Sequence, residues 1–122
     1  MILPRLFIPV ESATAETRVA ASPETVRKFI SLGCSVTIEQ GAGANAGFVD
    51  TAYSEAGAEL VPPGDPQAWG AADVLLCVQQ PSASALARLR RGALLVGLLA
   101  PYSNAELATA LQGGGLSAMA LE

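Results

Sequence analysis

Histidine is missing altogether from this chain of 122 residues. Its absence removes the base from any Ser-His or Cys-His nucleophilic arrangement. Cysteine is scarce: Cys34 and Cys77 are the only two, each among apolar neighbours in a segment predicted as strand. Two thiols without a histidine form no convincing metal-ligand set, and their settings read as buried free thiols rather than a disulfide. Basic residues are few and scattered, in a chain whose net charge is −4. A nucleic-acid partner needs a basic stripe, and RNA an aromatic platform as well. With 5% aromatic residues, the chain has neither. The only basic cluster, Arg88, Arg90 and Arg91, falls at the end of a predicted helix, where cations offset the helix dipole. No apolar run approaches the ~20 residues that cross a bilayer, and the first ten residues lack the basic leader and long apolar core of a secretory signal. The chain is read as soluble and cytoplasmic.

What is present is apolar. Hydrophobic residues make up 51% and charged residues 15%, the reverse of a disordered composition. The length suits one domain, and folding at this size hides roughly two thirds of the unfolded surface. Alanine and leucine supply much of the apolar content, which implies small, closely stacked elements.

Strand and helix signals alternate along the chain. Leu6 to Val10 reads as a short buried strand, followed by a polar loop, Glu11 to Ala21. Ser22, Pro23 and Glu24 then supply an N-cap, a proline at the first helical position and an acid in the first turn. Val26, Phe29 and Ile30 recur at helical spacing until Gly33. Cys34 to Glu39 is a strand with Val36 and Ile38 on one face, and Gly41 to Gly47 is a small-residue loop. Asp50 caps a short helix ending at Gly57, Glu59 to Val61 is a short strand, and Asp65-Pro66 opens another short helix. Asp73 to Gln79 is a buried strand stopped by Pro81. Leu86 to Arg91 is helical up to Gly92, and Ala93 to Leu99 is the next strand. Ser103 and Glu106 form a capping box for a helix to about Gln112. Gly113 to Gly115 turn the chain into a last strand, Leu116 to Leu121. Apolar strands separated by helices imply an α/β fold with a mostly parallel, doubly wound sheet covered by helices on both faces.

Four segments are candidates for a site. Gly41 to Ala46 fits the loose dinucleotide pattern G-x-G-x-x-A, but Phe48, Val49 and Asp50 separate it from a helix that is too short, so it reads as a tight glycine turn. Arg18 lies in the first strand-to-helix loop, at the ligand-bearing edge of a doubly wound sheet. Its guanidinium either forks onto a carboxylate or phosphate or is a structural loop arginine. Gln79 and Gln80 end the fourth strand, where their amides meet a ligand or simply water. After the fifth strand Ser103 is explained by helix capping, and Tyr102 is either a lid residue or simply partly buried. The acids best placed at the predicted edge are Glu16, beside Arg18, and Glu122. Spacing and composition alone name no reaction.

The segment Glu16 to Val26, reading Glu-Thr-Arg-Val-Ala-Ala-Ser-Pro-Glu-Thr-Val, resembles the N-terminal signature shared by alanine dehydrogenases and the α subunit of NAD(P) transhydrogenases. Leu32-Gly33, Val36 through Gly43 to Gly47-Phe48, Asp50, Tyr53 and Ala56 to Glu59 continue the resemblance in one register. Ala72-Asp73-Val74, Val78-Gln79, Pro81 and Ala118 to Glu122 complete it. The resemblance implies a flavodoxin-like domain over residues 1–122, incomplete at its C-terminal end. It would be the first of two domains that face each other across a cleft. NAD(H) would bind in the full-length protein, mainly through a second, Rossmann domain after Glu122, with none held tightly by this chain. Arg18 and Gln79 would lie on the opposing cleft wall, and no residue here would be catalytic or bind metal.

The two branches differ in chemistry. In alanine dehydrogenases an arginine matching Arg18 holds the substrate carboxylate, a lysine stands at the position of Gln79, and a histidine falls at about Ala100. An imidazole exchanges a proton near neutral pH and an alanine side chain does not. The resemblance therefore points to the NAD(H)-binding component of a proton-translocating NAD(P) transhydrogenase. Its partners would be the Rossmann domain of the same subunit and the membrane and NADP(H)-binding subunits. It would form a homodimer in the full enzyme, at the cytoplasmic side of the inner membrane. The alternatives are the N-terminal domain of an alanine dehydrogenase-like oxidoreductase and a stand-alone, non-catalytic binding module.

Overall fold

The computed structural model describes residues 3–12, 15–98 and 105–120. Six strands form one all-parallel sheet: β1 (Arg5–Ile8), β2 (Ser35–Glu39), β3 (Glu59–Val61), β4 (Val74–Gln79), β5 (Leu94–Leu98) and β6 (Ser117–Ala120). Among the described residues five α-helices connect them: α1 (Pro23–Ser31), α2 (Asp50–Glu55), α3 (Pro66–Ala71), α4 (Ala83–Leu86) and α5 (Ala105–Gly114). The strand order is β3-β2-β1-β4-β5-β6. This is the 3-2-1-4-5-6 order of a doubly wound sheet; without the three-residue edge strand β3 it reduces to the flavodoxin-like order, and in both the switch point lies between β1 and β4.

Right-handed crossovers explain the two layers. The chain moves one way through β1, β2 and β3 and the other way through β4, β5 and β6, so the helices fall on opposite faces. On one face Leu6, Ile8, Val36 and Ile38 pack with Val26, Tyr53 and Ala56 of the α1–α2 side. On the other, Phe7, Val61, Leu75, Cys77 and Leu95 pack with Trp69, Ala72, Leu86 and Leu89. Alternate residues of β1 and β4 thus serve different cores, as the two-residue strand period requires. Tyr53 is fully buried, and its hydroxyl donates to the Ala21 carbonyl at 2.7 Å, tying α2 to the loop before α1. Gly97 brings β5 against β4 so closely that a Cβ there would lie 2.6 Å from the Cys77 carbonyl oxygen.

Several helix starts follow their local signals. Ser22 Oγ accepts from Thr25 N–H at 3.2 Å, and the Asp65 side chain accepts from Gln67 N–H at 3.2 Å. Other expectations are corrected. β1 stops at Ile8 because Pro9 has no N–H and Val10 N–H turns away to a glutamate of β2. Asp50 is the first residue of α2 rather than its cap, which is Val49. Its carboxylate accepts from Gly41 N–H at 2.9 Å and closes the glycine loop. Cys34 is half-buried just before β2, whereas Cys77 lies buried in β4; both are free thiols.

The expected helix Leu86–Arg91 is replaced by α4, capped by Ser82 and finished at Leu86. The arginines after it are drawn elsewhere and do not offset its dipole. Arg90 bridges to Asp73, Arg91 donates to the Gly113 carbonyl, and Arg88 lies 6.0 Å from the Trp69 ring centroid. The α5 helix extends through Gly113 and Gly114, so only Gly115 turns the chain into β6. Tyr102, Ser103, Ala100 and Glu122 lie outside the described residues. None of the described helices is long and apolar enough to cross a membrane.

Candidate functional site at the strand switch point

Between β1 and β4 the chain leaves the sheet in two directions. The β1 loop runs toward α1 on one face, and the β4 end runs through Pro81 toward α4 on the other. The edge between them is where doubly wound sheets receive ligands.

Two carboxylates organise this edge. Glu11, from the β1 loop, spans the end of β4: its two oxygens accept from Val78 N–H and Gln79 N–H, each at 2.8 Å. Burial pushes the Glu11 carboxyl above its ordinary value, and the two backbone N–H groups oppose that shift. Glu16 binds both predicted site residues. One oxygen accepts from the Gln79 side-chain amide at 3.0 Å and from Arg18 Nη2 at 2.8 Å. The other accepts from Arg18 backbone N–H at 2.8 Å and from Arg18 Nε at 2.9 Å. Arg18 and Gln79 are therefore brought together through Glu16. The Glu16 side chain is 6% exposed and that of Arg18 58%. The guanidinium, with help from the Gln79 amide, holds the Glu16 carboxyl down at about 2.

A small cleft of about 60 Å³, lined by Pro9, Glu11, Cys77, Gln79 and Pro81 among others, opens between the two loops. Burial raises the Cys77 thiol to about 12, so it stays protonated and is no nucleophile at neutral pH. A larger concavity of about 630 Å³ lies on the sheet face beside α3, lined by Arg5, Ser35, Thr37 and Gln67 among others. Convergent charged and amide groups, rather than volume, mark the switch-point edge as the candidate site.

Two residues of this region escaped the sequence reading. Glu11 counted only as the start of a polar loop, and Glu39 only as a strand end. Glu39 is buried, at 3% exposure. Its oxygens accept from Val10 N–H at 2.7 Å, Gly64 N–H at 2.6 Å and Trp69 Nε1 at 3.2 Å. An acid directly at or after a strand end was the available signal, but its partners are far away in sequence. The glycine loop forms a compact turn with a 3₁₀ segment at Ala44–Ala46. A Cβ at Gly43 would sit 2.6 Å from the Tyr53 ring, so this position approaches Tyr53 of α2. Among the described residues no group of three or more His, Cys, Asp or Glu is arranged to hold a metal ion.

The fold and this edge define a doubly wound α/β domain with polar groups gathered at its switch point, where such sheets receive ligands. Residues 7–122 match the family model described as alanine dehydrogenase/PNT, N-terminal domain. The chain belongs to that family. It is 37% identical over 118 residues to the NAD(P) transhydrogenase subunit alpha of Cereibacter sphaeroides, covering 97% of this chain and 22% of that protein. It is 36% identical over 118 residues to an alanine dehydrogenase of Mycobacterium tuberculosis, covering 97% of this chain and 32% of that protein. The crystal structure of a transhydrogenase from Sinorhizobium meliloti superposes with a TM-score of 0.88 at 39% identity, over 95% of this chain and 34% of that one. The chain thus spans between about a fifth and a third of these relatives. Identity is nearly equal for the two branches, so individual residues have to separate them.

Proposed function

We propose that this domain is the N-terminal part of the NAD(H)-binding component of an NAD(P) transhydrogenase, and that its switch-point edge forms one wall of the nicotinamide cleft. The observation that carries the reading is the cluster in which Glu16 joins Arg18 to Gln79. An uncharged amide stands where an alanine dehydrogenase resemblance calls for a lysine, and the chain has no histidine to exchange a proton with an amine. Hydride transfer between two nicotinamides needs neither group. In this reading the cleft wall orients a ring and excludes water while the reaction runs between the cofactors.

The partners are a Rossmann domain of the same subunit and the membrane and NADP(H)-binding subunits, in a proton-translocating assembly at the cytoplasmic side of the inner membrane. Most of the NAD(H) contacts belong to that second domain. Calorimetric titration of this chain with NADH is expected to give weak or no binding, and tight binding overturns that division of labour. In the full-length protein the decisive assay compares hydride transfer from NADH to an NADP analogue with alanine-dependent NADH production. The first is expected, and the second alone would return the protein to the alanine dehydrogenase branch.

A further inference from the structure

The end of β4 departs from the regular sheet. Its register with β5 passes from Leu76↔Val96 to Gln79↔Leu98, three steps on β4 against two on β5, which is a bulge. On the β5 side the irregular stretch is pinned. The Cys77 thiol donates to the Val96 carbonyl at 3.4 Å, and Gly97 lets the Cys77 backbone come close. On the other side β1 pairs with β4 through Leu6↔Val74 and Phe7↔Leu75 and stops at Ile8, so no strand lies beside the bulge there.

Glu11 takes the place of that strand. Successive N–H groups of a regular strand point to opposite sides. Those of Val78 and Gln79 converge instead on the two oxygens of one carboxylate. Without an acceptor the bulge would leave two partly buried N–H groups unpaired. Gln79 is thus held twice by the same loop: Glu11 takes its backbone N–H, and Glu16 takes its side-chain amide at 3.0 Å. A glutamine side chain has three torsions, so one bond at its tip aims the amide only where the backbone beneath is fixed. Glu11 and Gln79 both line the cleft between the β1 and β4 ends.

We infer that Glu11 is a positioning residue for Gln79: by holding the bulged end of β4 it fixes where the Gln79 amide stands at the switch-point edge. That this amide meets a nicotinamide rests on the reading of the edge as a cofactor wall. The test follows Gln79 Nε2 in the ¹⁵N-labelled chain by its {¹H}–¹⁵N NOE, which reports whether the amide is held or free. Wild type and Glu11→Gln are titrated from about pH 7 to about 3.5, a window that spans the ordinary glutamate range. Over it Glu16, held at about 2, stays ionised and Arg18 stays charged, while Cys77, pushed up to about 12, stays protonated. Glu11, raised above its ordinary 4.5 by burial, gains its proton there, and one of its oxygens becomes a donor. Glu39 holds the neighbouring Val10 N–H, and the Glu11→Gln chain separates its titration from that of Glu11.

In wild type the Gln79 amide is expected to be held at pH 7. Its NOE should fall to that of an exposed glutamine in step with the backbone resonances of Val78 and Gln79, while Glu16 is still ionised. Glu11→Gln should show the fallen value already at pH 7 and no step. A Gln79 amide that stays held in Glu11→Gln, or that loosens in wild type only near pH 2 with Glu16, overturns the inference and leaves Glu11 a backbone clamp. The wild-type titration needs no variant, so it decides the matter even if Glu11→Gln folds poorly. Nicotinamide added to wild type at pH 7 tests the cofactor reading separately: unmoved Gln79 resonances overturn that reading and leave the positioning role to the NOE.

Discussion

Glu39 and Glu16 both close loops at the C-terminal edge of the sheet, and they do opposite work. Glu39 is 3% exposed, and the N–H groups it accepts from, those of Val10, Gly64 and Trp69, are all neutral. It staples the β1 loop, the turn after β3 and helix α3 to the end of β2. Glu16 binds a cation whose side chain is 58% exposed, and through Gln79 it reaches the switch point. A buried carboxylate surrounded by neutral donors stabilises the fold and offers nothing to a ligand. A carboxylate bridging an exposed guanidinium leaves chemistry on the surface. Position at a strand end does not separate the two cases, but the partner's charge and exposure do.

The largest expected effect tests the staple. Glu39→Ala leaves three N–H groups without their acceptor. At about 1.5–3 kcal/mol for a hydrogen bond to a charged group, unfolding in urea should show a loss of at least ~3 kcal/mol. A loss below about 1 kcal/mol would erase the distinction between the two glutamates. Next comes the strand end on which Gln79 sits. Gly97→Ala forces a Cβ against the Cys77 carbonyl, where β4 and β5 run in contact. The same urea experiment should give a loss of about 1–3 kcal/mol, with the Gln79 amide resonance displaced.

The smallest effect is the most informative about Glu16. Its carboxyl is held at about 2 against an ordinary 4.5. A group depressed on folding contributes stability above its unfolded value, and that contribution disappears as pH falls through about 2. Glu11 has the opposite sign. Its raised carboxyl favours the fold below the ordinary value and loses that contribution as pH rises through its folded one. Urea midpoints between pH 5 and 2 should therefore fall less in Glu16→Gln than in wild type, the variant starting slightly lower at pH 7 and the two converging in acid; the difference is small because the Arg18 side chain is exposed. Equal acid limbs for the two proteins would mean that the Arg18 pairing does not persist in solution.

Much of the fold was legible because its signals are local. Ser22-Pro23 and Asp65-Pro66 carry cap and first-turn information within three residues, and β3 fell at Glu59–Val61 as expected. The errors came where a distant partner decided the outcome. The arginines after α4 carry no mark in sequence that Asp73 and the Gly113 carbonyl will take them. Asp50 looks like a cap until Gly41 N–H is brought to it. For the candidate site, Arg18 and Gln79 were identifiable singly from their places at strand ends. Their joining through Glu16 was not, because it spans 63 residues.

By itself the sequence determined the α/β class, the two-layered core and the family. Each depends on periodicities and short signatures that survive in one dimension. Only the tertiary structure decided which acid is a staple and which is a ligand of Arg18. Strand order places Glu11 and Glu16 beside the end of β4 and Glu39 beneath Trp69, and a carboxylate's role is set by the donors that surround it in space.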